Sequence, residues 1–136
     1  VAALIGGLVF CFLGKGIIVP QSADLDLSRR VNAALIESNL HPRLSPGKPG
    51  PLVGSGYAEP SLIFLTRTDS GMTTPAEAAQ ASAGAGAVVE ASRRREFDAM
   101  LAKKRLIATK VTSVQGLNYS NGDRVNLEIL RISAAN

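Results

Sequence analysis

Histidine occurs once, cysteine once and tryptophan not at all in 136 residues. Each scarcity excludes something. The lone Cys11 rules out an internal disulfide and a thiolate metal cluster. The lone His41 rules out a His-rich metal site, and its place in a proline-rich loop gives no ground for assembling a Ser/His/Asp set around it. It precedes Pro42 in a loop-like stretch and reads as a solvent-exposed loop residue. Aromatics make up only 4%, and none interleaves with the basic runs. Stacking platforms for nucleic acid are therefore missing. Charged residues are few at 19% against 46% apolar. That balance supports a packed core and argues against general disorder. There is no internal repeat.

The formal net charge is +4 and the pI about 9.6. A modest excess like this suits anionic partners in general, and many basic domains bind none. The chain opens with Val in an apolar run, VAALIGGLVFCFL, that carries no charge before Lys15. A membrane crossing needs ~20 apolar residues. A signal peptide has its basic residues first, and a core helix shows polar residues at a helical period. Neither pattern fits. We read residues 1–20 as the end of a membrane helix cut at its start, and the chain as a fragment of something longer. Residues 21–136 are the domain outside the bilayer.

In that domain, Leu27, Val31, Ala34, Leu35 and Ser38 recur at the spacing of an amphipathic helix, with Ser22 or Asp24 as cap. Residues 41–51 hold four prolines and read as a loop. A strand at 52–56 runs into a helix from Ser61 to Arg67, with Pro60 at its start. The stretch 68–75 reads as a loop. A helix over 74–84 follows, then a strand at 87–91. A second amphipathic helix spans 92–105, with Phe97, Met100, Leu101 and Lys104 on one face. The end is a hairpin turning at Asn121-Gly122. Val125, Leu127 and Ile129 alternate with Asn126 and Glu128, which predicts one buried and one wet face. The expected fold is α/β: a small sandwich with a mixed sheet and a C-terminal antiparallel hairpin.

The junction Gly54-Ser55-Gly56-Tyr57-Ala58-Glu59 invites a phosphate reading. It fails the dinucleotide fingerprint, because Glu59 stands where the third glycine belongs, and no Walker lysine is present. An acid there would take the free N–H groups itself. The bland reading is a self-capped turn. The sharper one places Tyr57 and Glu59, with Ser61, along an open cleft at the carboxyl edge of a strand, where α/β ligands bind. The run Arg93-Arg94-Arg95 is either a solvated helix face or a surface for anionic lipid. Glu59, Asp69, Glu90 and Asp98 are acids that spacing alone cannot pair for acid–base work. Asn118-Tyr119-Ser120 matches a glycosylation sequon, which we treat as incidental.

Four segments together resemble one family. GYAEPSLIFLTRTD (Gly56–Asp69) is similar to the GY-x-EPSL-x-F segment of bacterial GT-C membrane glycosyltransferases, the family 39 relatives of 4-amino-4-deoxy-L-arabinose transferase and protein O-mannosyltransferases. VPQSADLDLSRRV resembles the exit from their last membrane helix, and AVVEASRRREF their strand and helix. GLNYSNGDRVNLEILR resembles their closing hairpin, with Leu117 in place of the usual Phe. The resemblance implies an inner-membrane enzyme of the cell envelope, with this domain in the periplasm. Its donor would be a polyprenyl-phosphate-linked sugar. The resemblance implies no cofactor and no nucleic acid, and places the catalytic acid far upstream, outside this chain. The alternative is a membrane-tethered α/β module that binds a ligand or partner and does no chemistry.

Overall fold

A computed structural model describes residues 23–47, 49, 52–57, 60–66, 71–72, 83–118 and 122–135. The expected membrane segment and the helix expected over 74–84 lie outside these, apart from Ala83 and Gly84. The described elements are α1 (Ala23–Glu37), β1 (Val53–Ser55), α2 (Pro60–Thr66), β2 (Gly71–Met72), β3 (Gly86–Glu90), a single 3-10 turn (Ala91–Arg93), α3 (Arg94–Ala102), β4 (Leu106–Asn118) and β5 (Asp123–Ala134). Five strands form one mixed sheet in the order β2-β1-β3-β5-β4. β1 is parallel to both β2 and β3, while β5 is antiparallel to β3 and β4. The α/β class with a mixed sheet and a closing antiparallel hairpin is what the hydrophobic pattern predicts. β2 differs from expectation: Gly71 and Met72 pair with Val53 and Gly54, in a stretch that reads as loop. Two residues are too few to carry a periodicity.

The sheet is covered on both faces. On one, Leu27, Val31 and Leu35 of α1 and Leu62 of α2 meet Val88, Val114, Val125, Leu127 and Ile129. On the other, Phe97 and Leu101 of α3 meet Ala87, Val89, Leu130 and Ile132. Each such fully buried side chain contributes on the order of 1.5–3 kcal/mol. The expected wet face of β5 is thus wet only in part: Leu130 and Ile132 are buried under α3. Lys104, expected to share the buried face of α3, is exposed.

A bulge lets β4 serve both layers. The register slips between Lys110 and Thr112. Before the slip, Ala108 faces Ile132 on the α3 side; after it, Val114 faces Leu127 on the α1 side. One extra residue changes which parity points to which face. α1 ends in a Schellman turn. Asn39 takes a positive φ of 55°, Asn39 N–H donates to the Ile36 carbonyl, and Leu40 N–H donates to the Leu35 carbonyl. Leu40 then drops into the core.

Candidate functional site

β1 and β3 lie side by side and parallel, while the chain leaves β1 for β2 on the opposite flank. The strand order therefore reverses between β1 and β3. In open α/β sheets the crevice beyond the carboxyl ends of strands at such a point is where ligands bind. Here those ends are Ser55 and Glu90.

Three observations define the place. Gly56 has φ 86° and packs so close that a Cβ on it would lie 2.9 Å from Glu90 Cβ and 3.1 Å from Arg93 Cγ. Only glycine fits both the conformation and the space. The Ser92 hydroxyl donates to Glu90 Oε1 at 2.8 Å. Ser55 is buried and its Oγ has no hydrogen-bond partner among the described residues. Gly56 and Ser92 thus gather around the Glu90 carboxylate at the first turn after β1, whereas Ser55, in register with Val89, faces the α3 layer. Sequence reasoning missed Glu90 as the neighbour of Gly56, although an acid closing the apolar strand Ala87-Val88-Val89 was visible.

Of the sequence candidates, Tyr57 is 2% exposed, and its hydroxyl lies 3.5 Å from Ser28 Oγ beneath α1. It is a core residue and does not line an open cleft: α1 covers its ring. Glu59 and Asp69 lie outside the described residues, and for Ser61 only the backbone in the first turn of α2 is described. Among the described residues no cluster of histidine, cysteine and acids could hold a metal ion.

The three arginines divide. Arg94 turns inward: Nε donates to both Asp98 oxygens at 2.9 Å, Nη1 to Glu128 Oε2 at 2.8 Å, and Nη2 to the Ala108 carbonyl at 2.7 Å. Lys110 Nζ donates to Glu128 Oε1 at 2.9 Å. The Lys110 hydrogen bond holds the Glu128 carboxyl below the usual range against its partial burial, and Arg94 adds to this. Burial pulls the Arg94 guanidinium down, but its bonds to Asp98 and Glu128 outweigh that and raise it. Arg94 is thus a clamp between helix and sheet, not part of a lipid-facing row. Arg93 pairs with Glu96 at 3.3 Å in an exposed contact, and Arg95 is exposed.

His41 corrects the expectation of an exposed loop residue: it is 1% exposed. Its Nδ1 accepts the N–H groups of Arg43 and Leu44 at 3.1 Å each, and Nε2 lies 3.0 Å from Asn32 Oδ1. Its own N–H donates to Ser45 Oγ at 2.8 Å. A neutral ring with the proton on Nε2 satisfies every contact. Burial lowers its pKa; a contact with the Leu65 backbone opposes this and the Arg43 charge adds to it. A proline-rich loop lacks repeating backbone bonds, so one buried ring organises it from inside.

A groove of about 600 Å³ lies at the hairpin, lined by Gln115, Gly116, Leu117, Arg124, Val125 and Asn126. The Asn126 Oδ1 is buried without a hydrogen-bond partner among the described residues. Comparison of the chain with protein-family models, curated proteins and solved structures finds no match.

Proposed function

We propose that this chain is the extramembrane α/β domain of a bacterial membrane glycosyltransferase that moves a sugar from a polyprenyl-phosphate carrier to a lipid, glycan or protein acceptor. It faces the periplasm and supports or contacts the acceptor, and the reaction centre lies elsewhere in the parent protein. One observation carries the reading. Two of the segments that resemble such enzymes, Gly56-Tyr57-Ala58-Glu59-Pro60-Ser61 and Ala87-Val88-Val89-Glu90, are far apart in sequence yet meet at the strand-order reversal, Gly56 against Glu90. A third segment builds the hairpin and its groove. Among the described residues no helix is long and apolar enough to cross a membrane, and residues 1–22 lie outside them.

The test is transfer of a labelled sugar from its polyprenyl phosphate in membrane vesicles carrying the parent protein. The wild type transfers label, and Glu90→Gln lowers turnover per folded molecule. A folded parent that transfers from no polyprenyl-phosphate sugar refutes the assignment and leaves the tethered binding module. Turnover unchanged in Glu90→Gln makes that carboxylate a turn-stabilising group only.

A further inference from the structure

We propose that the end of the sheet opposite the Gly56–Glu90 crevice is a docking surface for an anionic lipid bilayer, with Arg43, Lys103, Lys104 and Arg105 on the head groups and Leu44 and Ile107 entering the interface. The surface stands on charge and exposure alone; its role of fixing the domain above the bilayer rests on the membrane-enzyme reading.

Several elements start or finish at this end. Leu106 of β4 pairs with Ala134 of β5, and Arg131 pairs with Gly86, the first residue of β3. α1 stops here as well: Arg131 Nη2 donates to the Ser38 carbonyl at 2.9 Å, and a Cβ on Gly86 would lie 3.1 Å from the Leu40 side chain. The loop 41–47 follows directly. Of the described charged residues, Arg43, Lys103, Lys104, Arg105 and Arg131 stand at this end against the single acid Glu37, and all are exposed. That surplus is the whole formal net charge of +4, so the cations and acids of the rest of the chain cancel. At the hairpin end, the stretches that carry Arg29, Arg30 and Arg124 also carry Asp24, Asp26 and Asp123.

Apolar exposure falls in the same place. Leu44 is 62% exposed and Ile107 49%. Single exposed apolar side chains are ordinary, but Leu44 is held out. Its N–H donates to the buried His41 ring at 3.1 Å, as does that of Arg43. The loop therefore presents a cation and a leucine side by side in a fixed geometry. Arg105 and Ile107 bring a second such pair to the start of β4. Cations beside apolar tips fit a bilayer interface, where ammonium and guanidinium groups meet lipid phosphates and the tips enter the acyl boundary. Nucleic acid is the poorer fit: Tyr57 and Phe97, the aromatic residues whose side chains are described, are buried and stack on no base. The tether is long enough. α1 has 15 residues and is about 22 Å long. Residues 14–22 reach up to roughly 30 Å, enough to connect an anchor in residues 1–13 with the start of α1 while its last turn meets the bilayer.

The experiment is NMR of the isotope-labelled whole chain in nanodiscs of phosphatidylcholine, with or without an equal share of phosphatidylglycerol, carrying a trace of lipid with a paramagnetic head group. With phosphatidylglycerol, the amide signals of Arg43, Leu44, Lys103, Lys104, Arg105 and Ile107 broaden more than those of Gly116, Leu117 and Arg124. Without it, or at high salt, the difference disappears. Lys103→Gln, Lys104→Gln and Arg105→Gln together lower the docked-to-free ratio by roughly a hundredfold, at about fivefold per cation. Leu44→Ser lowers it by roughly tenfold. Should the triple variant not fold, Leu44→Ser and Arg43→Gln at exposed loop positions carry the test. The surface is disproved if the hairpin signals broaden instead, if phosphatidylcholine alone gives the same pattern, or if the substitutions change nothing. It is also disproved, in favour of an acidic macromolecule, if heparin shifts the same signals and Leu44→Ser has no effect on the discs. A chain that does not stay in the discs removes the tether and with it the membrane-enzyme reading. Phosphatidylglycerol vesicles added to that chain then decide the surface by itself: broadening of the same signals upholds it, and none overturns it.

Discussion

Replacing His41 with alanine should be among the costliest single changes in this domain. The ring is 1% exposed, so its removal leaves a void; loss of a buried side chain of this size costs about 2 kcal/mol. Two N–H groups, of Arg43 and Leu44, lose their shared acceptor, and Asn32 loses its partner. These contacts are only part-buried, so entering water recovers some of the loss, and they add about 1 kcal/mol. The total of about 3 kcal/mol is a large share of a stability of roughly 5–15 kcal/mol. It corresponds to a fall in Tm of about 10 °C for a domain of this size. His41→Asn keeps an acceptor near the Nδ1 position and should lose about half as much. The pH dependence has a definite sign. The folded-state pKa lies below the ordinary value of 6.5, so the unfolded chain binds the proton more readily. The contribution from His41 is therefore full above that value and is lost as pH falls through the lowered folded pKa. Thermal unfolding followed by circular dichroism over the mildly acidic to neutral range measures both effects. A fall in Tm under about 2 °C for His41→Ala, or the same acid sensitivity in wild type and His41→Asn, would refute the argument.

Other outcomes follow from the same geometry. Glu128→Gln removes the anion shared by Arg94 and Lys110. Lys110 is half-exposed and its share is small, so the loss should be about 2 kcal/mol by chemical denaturation, most of it from the Arg94 contact. Because the Glu128 pKa is lowered, that stability is present above the ordinary carboxylate range and disappears as pH falls through the folded value; Glu128→Gln should flatten the acid limb. Gly56→Ala must adopt φ 86° and place its Cβ against Glu90; a loss of about 2–3 kcal/mol is expected, and a fall in Tm near zero would show that the turn can rearrange.

The sites divide between what spacing reveals and what it hides. Leu27, Val31 and Leu35 announced α1, and Phe97 with Leu101 announced α3, because a helix buries a stripe that its own period defines. The hairpin was legible for the same local reason: apolar and polar residues alternate on either side of a glycine turn. Asn118 pairs with Asp123 there, so the connection is longer than a two-residue turn at Asn121-Gly122. His41 was misplaced because burial of a loop residue depends on what covers it, and α1 with the loop backbone does so from non-neighbouring positions.

By itself, the sequence determined which residues are apolar, where helices and strands can start and stop, and hence the α/β class. Those features are set by side-chain period and backbone sterics within a few neighbours. Tertiary structure alone decided that Glu90 meets Gly56, that Arg94 reaches Glu128 and that Gln115 faces Asn126. These pairs depend on strand order and register, which minimise exposed apolar surface across the whole sheet. No local stretch of chain contains that sum.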